Sequence, residues 1–428
     1  MSARVFPHAA VASPHYLASA VGLGVLTSGG NAADAAIAMN LALAVVYPHM
    51  CGLGGDLIAM VWNNGELAGI NSTGRLPAAA PPQTRVRSRG VESATVPGCV
   101  AGLRALHERF GSRALDELAA PAIRYAREGV SRAPGLARIT TAMRPLLERD
   151  PEAARIFLAD GALVQEDLAR TLEHLDDFYE TVGNAAPAPF TRDDFTTHEA
   201  QWVEPMRTHW HGLEVCEMPP NSRGHLALAA LDRLEPLDSL TPDKAEWHRR
   251  LIRAFDDPDG HDGDTIYLCA RDERGMSVSL SESVSAAFGS GVVIPGTGVL
   301  LHNRAEYFQP HEYIGGAKPV HTLAPAMALQ NGRPRLVFGT MGGPAQIQFH
   351  LQLLARIFVA GEDIGDAIAA PRWRFGEGGL IAEGGLPDIG ATPMPHPDNA
   401  GHAHAILVEP GHLLAAADPR SDGAALGY

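Results

Sequence analysis

The chain contains few cysteines and no long uninterrupted apolar run. Its four cysteines lie far apart among 428 residues and form no Cys-X-X-Cys pair. This is typical of reduced, packed thiols in a cytoplasmic protein rather than of a disulfide framework. The most apolar stretch, residues 32–46, is interrupted by Asp34 and Asn40 and is too short to span a bilayer. We therefore expect a buried helix there, capped by Asn31, and no membrane segment.

Positive charge is scarce as well. The chain has 49 Asp and Glu against 34 Lys and Arg, which gives a formal net charge of -15. Nucleic acids and anionic membranes would repel it, so neither is expected as a partner. The N-terminal segment lacks a basic stretch followed by a long apolar core, so we expect no signal peptide and a cytoplasmic location. Two histidine pairs, His209 with His211 and His402 with His404, have i, i+2 spacing but no third ligand, so no metal site is expected there.

The pattern changes to alternating strands after residue 263. The segments "TIYLCA" and "MSVSLSES" flank the turn sequence "RDERG", which predicts a hairpin with Gly275 in the left-handed position. If Ala270 pairs with Val278, continuing the register places Ser283 directly opposite Thr265. The two hydroxyls would then share one strand face, within hydrogen-bonding reach.

The position of Thr265 at the start of this hairpin suggests a nucleophile. A threonine hydroxyl needs an adjacent base, and the α-amine of an N-terminal threonine can supply one. The amine becomes available only if the preceding peptide bond, Asp264–Thr265, is cut. The acidic turn-rich segment "FDDPDGHDG" directly before Asp264 is suited to such a cut. The alternative is that Thr265 is only a β-former that opens a strand.

A second feature lies in the segment "FGTMGGPAQIQF". It predicts the end of a strand, a Gly-Gly turn, a proline at the first helical position and then a helix. Backbone N–H groups at a helix start can stabilise an anion, so Gly342 and Gly343 are candidates for an oxyanion hole. The alternative is an ordinary glycine turn.

Seven motifs along the chain resemble those of the gamma-glutamyltranspeptidase family of self-processing N-terminal-nucleophile hydrolases, in family order. They are "GGNAADAAIA", "PHMCGLGGD", "ATVPGCVAG", "MPPNSRG", "FGSGVVIPGTGVLLHN", "GTMGGPAQ" and "DPRSDGAALGY". The resemblance implies an α+β fold, a four-layer αββα sandwich. It also implies two subunits, residues 1–264 and 265–428, which form one interleaved domain, a heterodimer that could dimerise again.

The resemblance also implies site roles. Thr265 matches the family nucleophile, Ser283 its hydroxyl partner, and Gly342 and Gly343 the oxyanion glycines. The Asp264–Thr265 bond resembles the autocleavage site. No metal or organic cofactor is implied.

The chain departs from the transpeptidases at positions that contact the substrate in that family. The segment "NRAEYF" supplies Asn303, Arg304, Glu306 and, in place of the acid that binds the glutamyl amine, Tyr307. These departures more closely resemble the branch that contains cephalosporin-acylase-like and oxamate-amidohydrolase-like proteins. Because Arg304 offers a fork suited to a carboxylate, we expect an acyl group that ends in a carboxylate. The alternatives are that Arg304 pairs with Glu306 or a nearby Asp and never meets the substrate, or that Glu306 restores recognition of the amine.

Two further substrate positions also differ. The hydroxyl pair that binds the substrate carboxylate in the family is replaced by His321 and Thr322. The arginine of the glutamyl-recognition loop falls on Thr73, with Arg75 two residues later. The resemblance therefore implies hydrolysis or acyl transfer on a small amide. A true gamma-glutamyltransferase or glutathione hydrolase and an unprocessed, inactive binding homologue are the alternatives.

Overall fold

The computed structural model describes residues 3–255, 264–376, 378–395 and 397–428, and its main feature is a pair of stacked seven-stranded sheets. The acidic segment before Asp264 that the sequence marked for cleavage lies outside the described residues, apart from Phe255. The strands are β1 Arg4–Phe6, β2 Ala10–Ser13, β3 Asp56–Asn63, β4 Glu66–Ser72, β5 Gln201–Val203, β6 Met206–Trp210, β7 Leu213–Glu217, β8 Asp264–Arg271, β9 Ser277–Ser285, β10 Val293–Ile294, β11 Val299–Leu300, β12 Ala326–Gln330, β13 Arg333–Thr340, β14 Trp373–Gly376, β15 Gly379–Ala382, β16 Thr392–Pro393, β17 Ala403–Glu409, β18 His412–Ala417 and β19 Ala424–Gly427.

Helices cover the outer faces of both sheets. They are α1 Tyr16–Thr27, α2 Ala32–Val46, α3 Cys99–Phe110, α4 Leu115–Glu128, α5 Pro134–Ala142, α6 Arg144–Leu147, α7 Pro151–Phe157, α8 Glu166–Glu173, α9 Phe178–Ala185, α10 Arg192–Thr196, α11 Gly224–Arg233, α12 Ala245–Arg253, α13 Gln346–Leu354 and α14 Ile364–Ala369. Helices α1, α2 and α3 pack on one sheet, and α11, α13 and α14 pack on the other. The expected four-layer αββα sandwich is thus confirmed.

Both sheets mix strands from the two ends of the chain. The strand order is β19-β2-β8-β9-β3-β4-β5 in the first sheet and β1-β18-β17-β13-β12-β7-β6 in the second. Each sheet therefore contains strands from before Thr265 and strands from after it. A cut before Thr265 would leave two fragments that share both sheets and the core between them.

The apolar helix expected from the sequence is α2, and all of its residues are buried. Asn31 caps it by accepting a hydrogen bond from the Asp34 backbone, and the Asp34 side chain accepts one from the Asn31 backbone. This capping box satisfies two N–H groups that the helix start would otherwise leave unpaired. No helix in the described part of the chain combines the length and the apolarity needed to cross a membrane.

The β8–β9 hairpin confirms most of the predicted register. Ala270 pairs with Val278, the pairing continues to Ile266 and Glu282, and Gly275 has a φ of 93°. The apolar residues of one face pack with α2, whereas Tyr267 and Cys269 on the other face pack against the second sheet. Side chains on the Tyr267 face therefore point into the space between the sheets.

The register changes at the last predicted pair. Asp264 pairs with Ser285 rather than Val284, so Thr265 lies opposite a bulge of two β9 residues, Ser283 and Val284, instead of forming a simple pair with Ser283. The cause is tertiary, because the Val284 backbone donates to the Met50 carbonyl and accepts from the Asn303 amide. These two hydrogen bonds turn Val284 away from β8 and insert the extra residue in β9.

Candidate active site

Thr265 lies between the two sheets, and only 1% of its surface is exposed. The Gln346 Nε2 atom donates to Thr265 Oγ1 at 3.5 Å, and Gln346 Oε1 accepts from the Ala324 backbone at 3.2 Å. Gln346 thus connects the start of β8 to the start of α13. Gln346 was not predicted as a site residue from the sequence, although a polar residue that opens a helix shortly after two glycines was a usable signal.

The Gly342–Gly343 turn directly precedes α13. Gly342 has a φ of 134° and Gly343 a φ of 54°, values that side-chain-bearing residues rarely adopt. A Cβ added to Gly342 would also lie 2.8 Å from the Phe349 ring. The turn continues as a short 3-10 helix into α13, so the first N–H groups of this helical segment have no intrahelical acceptor. Gln346 reaches Thr265 from the same segment, which places the turn on the Thr265 side of the sheet.

Ser283 is fully buried and connects the bulge to Arg304. Its Oγ atom accepts from the Ser285 backbone at 2.7 Å and from Arg304 Nη2 at 3.4 Å. Ser285 has a φ of 80° and donates its hydroxyl to Glu306 at 3.1 Å. Asn303 has a structural role. Its side-chain oxygen accepts a hydrogen bond from the Ala286 backbone at 2.9 Å and so supports the turn after β9.

Arg304 is a buried cation held by neutral groups. It is 1% exposed, donates to Thr322 Oγ1 at 3.1 Å and to Ser283, and lies 4.9 Å from the centre of the Tyr307 ring. Its Nε atom has no hydrogen-bond partner. Among the described residues, no carboxylate lies within ion-pair distance of Arg304, and Glu306 hydrogen-bonds to Ser285 instead. The described residues thus contain no direct ion pair of Arg304 with Glu306 or an aspartate, although Asp56 acts on Arg304 from beyond contact distance.

His321 is buried and neutral. Its Nδ1 atom accepts from the Leu323 backbone at 3.3 Å, so the proton is on Nε2, which donates to Asp56 Oδ2 at 3.1 Å. Burial, followed by repulsion from Arg304, lowers the pKa of His321 to about 3. Burial alone would raise the pKa of Asp56, but His302, His321 and Arg304 outweigh it and hold that pKa well below its usual range.

Arg75 lies apart from this cluster. Its side chain is exposed and donates to the Gly316 carbonyl at 3.2 Å. It lines a separate cavity of about 200 Å³ together with Thr73, Lys318 and His198. The structure thus brings together Thr265, Ser283, Arg304, Tyr307, His321 and Thr322, but it leaves Arg75 at the surface.

Comparison with known proteins identifies the family. The model of the gamma-glutamyltranspeptidase family matches residues 18–256 and 252–428. The chain belongs to this family. The expected family membership is thereby confirmed.

Relatives within the gamma-glutamyltranspeptidase family match the chain along nearly all of its length. The glutathione hydrolase-like YwrD proenzyme of Bacillus subtilis is 31% identical, with 97% of this chain and 98% of the relative covered. The oxamate amidohydrolase proenzyme of Klebsiella pneumoniae is also 31% identical, with both chains fully covered. The crystal structure of cephalosporin acylase from Bacillus halodurans has a TM-score of 0.93 and 26% identity, and covers 100% of this chain and 97% of its own.

The burial of neutral His321 predicts a pH dependence of stability. The folded pKa is about 3, whereas an unfolded histidine has a pKa of about 6.5. Below about pH 6.5 the unfolded chain therefore binds a proton that the folded chain does not, and stability is lost as the pH falls towards 3. His321→Gln keeps a donor for Asp56 and removes the titration. Between pH 7 and pH 5, its free energy of unfolding should fall by about 2 kcal/mol less than that of the wild type.

Urea unfolding followed by tryptophan fluorescence at the two pH values measures this difference. His209→Gln is a matched control, because the His209 side chain is 86% exposed. If the free energy of unfolding fell equally in His321→Gln and the wild type between the two pH values, then folded His321 would take up a proton as readily as an unfolded histidine does.

Proposed function

We propose that the chain cuts itself before Thr265 and then uses Thr265 to hydrolyse or transfer the acyl group of a small amide. The observation that carries this proposal is the position of Thr265. It opens a central strand, it is buried between the sheets, and Gln346 links its hydroxyl to the helix that starts at the Gly342–Gly343 turn. The family membership and the amidohydrolase and acylase names of the relatives support the same reaction class.

The first step would be intramolecular. Thr265 Oγ1 attacks the Asp264 carbonyl carbon, the C–N bond breaks, and the nitrogen leaves as the α-amine of Thr265. Water then hydrolyses the resulting ester and releases the Asp264 carboxylate. The products are fragments 1–264 and 265–428, which would stay together as a heterodimer because both contribute strands to both sheets. A cytoplasmic location and a further dimerisation of the heterodimer stay predictions.

The second step would use the freed amine as the base. The amine accepts the proton from Oγ1 as this atom attacks the substrate carbonyl, and it later protonates the leaving nitrogen. The N–H groups of Gly342 and Gly343 would stabilise the oxyanion, and Gln346 would orient Oγ1. Water, or an acceptor amine in the case of transfer, then releases the acyl group from Thr265.

The acyl group should end in a carboxylate, because Arg304 is a buried cation that no carboxylate of the described residues contacts. Burying a charge is costly, and a bound carboxylate would add a direct ion pair to the compensation that Asp56 provides from a distance. Thr322 and the Tyr307 ring would hold the guanidinium in place, with Asn303 supporting the turn behind it. Among the relatives, the oxamate amidohydrolase is named for a substrate that carries a carboxylate beside its amide.

Self-cleavage is directly testable. Purified wild-type protein should run as two bands on a denaturing gel, and the smaller fragment should begin Thr-Ile-Tyr-Leu by N-terminal sequencing. Thr265→Ala removes the attacking hydroxyl and should remain a single chain without turnover. Thr241→Ala is a suitable control, because this threonine is exposed and lies in the other fragment, upstream of the proposed cut. Full-length wild-type protein that turns over substrate would rule out the free-amine base, and full-length inactive protein would favour the binding homologue.

The acyl preference is measured with two p-nitroanilides that differ only at the α-amine. The wild type should have a kcat/KM about tenfold or more higher for the glutaryl than for the γ-glutamyl compound, since a substrate ammonium would lie near Arg304 without a partner. Arg304→Lys keeps the charge but loses the fork geometry, so KM for the glutaryl compound should rise about tenfold. The control Arg356→Lys changes a buried arginine that pairs with Glu362. A preference for the γ-glutamyl compound would favour the gamma-glutamyltransferase instead.

A further inference from the structure

Asp56 lies beside the site, although the sequence analysis gave it no role. It is the first residue of β3, it is fully buried, and it pairs directly with Ser283 across the sheet. A buried carboxylate is costly unless hydrogen bonds and charges compensate for it. The hydrogen-bond partners of Asp56 therefore indicate which parts of the site the buried carboxylate holds in place.

One carboxylate oxygen joins two loops. Asp56 Oδ1 accepts from the Gly74 backbone at 3.0 Å and from the Gly98 backbone at 3.1 Å. Both loops are tightly packed, because a Cβ on Gly74 would overlap the Val96 carbonyl and a Cβ on Gly98 would overlap the Ser72 carbonyl. Glycine at these two positions thus lets the loops pack closely against neighbouring backbone while their N–H groups donate to Asp56.

The other carboxylate oxygen reaches the residues that hold Arg304. Asp56 Oδ2 accepts from His321 Nε2 at 3.1 Å, and the Leu323 backbone holds the opposite ring nitrogen. Thr322, between these two residues, accepts the hydrogen bond from Arg304. The orientation of the His321 ring therefore sets the path of the backbone that presents the Thr322 hydroxyl.

Asp56 also approaches Arg304 from a second side. His302 Nδ1 lies 3.9 Å from Asp56 Oδ2 and accepts a hydrogen bond from the Arg304 backbone at 3.3 Å. The Arg304 side chain lies outside contact distance of Asp56, yet its charge contributes to the low pKa of that carboxyl. Asp56 thus offsets the Arg304 charge without occupying the guanidinium donors.

We infer that Asp56 is a positioning residue which sets the preference for an acyl carboxylate by holding His321 and Thr322 against Arg304. The inference rests on the proposed function, because it explains the specificity of that same site. Asp56 contacts no reacting atom in this account. It acts on the substrate only through Arg304, His321 and Thr322.

The first experiment measures specificity rather than activity alone. Its readout is the ratio of kcat/KM for glutaryl p-nitroanilide to kcat/KM for the neutral butyryl p-nitroanilide. In Asp56→Asn an amide nitrogen replaces one acceptor oxygen and the charge is lost, so this ratio should fall about tenfold. Turnover of the butyryl compound should change less than about threefold. The control Asp34→Asn changes another buried aspartate with backbone donors and should lower stability without changing the ratio.

A double-mutant cycle separates positioning from a general structural effect. If Asp56 acts through Arg304, then Asp56→Asn should leave the ratio unchanged once Arg304→Gln is present, so the two effects should not add. A purely structural loss would lower turnover of both substrates equally, or would add to the effect of Arg304→Gln. Either result would overturn the inference.

A second pair of variants leaves Asp56 intact, in case Asp56→Asn does not fold. His321→Gln keeps a donor for Asp56 and should hold the ratio within about twofold, whereas His321→Leu should lower it about fivefold or more. Equal ratios in the two variants would contradict the inference.

A binding readout separates this inference from the proposed reaction. Saturating glutarate should raise the thermal midpoint of the wild type, and it should do so less in Asp56→Asn, because a ligand stabilises the state that it binds. Equal shifts in both proteins would overturn the role of Asp56 alone. No shift in the wild type would overturn the carboxylate site together with the inference, whereas a shift without turnover would contradict only the proposed reaction.

Discussion

The pairing of β8 with β9 is the constraint on which the site depends. These central strands separate two cores, and strand alternation sends Ile266 towards α2 and Tyr267 towards the second sheet. A slip of one residue would exchange the two faces, and would place an apolar side chain where the Thr265 hydroxyl now lies. The β9 bulge opposite Thr265 is compatible with this pairing because it lies beyond the Ile266–Glu282 pair, at the open end of the hairpin. The core register is therefore kept while the end of the hairpin is free to take a different geometry.

The site also contains charge that the core would not otherwise tolerate. Arg304 and Asp56 are both buried, yet each is held mainly by neutral donors and acceptors rather than by the other. Replacing such groups with apolar side chains of similar volume is often neutral or stabilising. The buried charges of Arg304 and Asp56 are thus better explained by the binding of a ligand to the Arg304 guanidinium than by a contribution to stability. Hydroxyls, a ring face and a distant carboxylate fix the cation and leave donors for a ligand.

The sequence predicted the local features of the fold and missed those that arise from distant contacts. The capping box on α2 and the turn at Gly275 depend on residues within a few positions of one another, and both are present. The bulge depends on Met50 and Asn303, which lie far from Val284 in the chain, so no local pattern could indicate it. The same reason explains why the Gln346 contact to Thr265 was not foreseen, since 81 residues separate the two.

The candidate site residues divide in the same way. Motif positions identified Thr265, Ser283 and Arg304, and the structure brings these three together. Arg75 was chosen for its place in a loop, but the Gly74 backbone turns towards Asp56 and leaves the Arg75 side chain at the surface. Asp56 itself ends the quoted motif "PHMCGLGGD", yet its partners come from three other segments, and only the folded chain shows that they converge.

The neighbours of β8 indicate why a cut before Thr265 would leave the new amine in place. β2 pairs with β8 only at residues 269–271, whereas β9 pairs with it along nearly its whole length. Among the residues that the structure describes, the start of β8 thus has a paired strand, β9, on one side and no paired strand on the other. One side anchors the strand through backbone hydrogen bonds and buried side chains, so a new N-terminus there would not fray as an edge strand would.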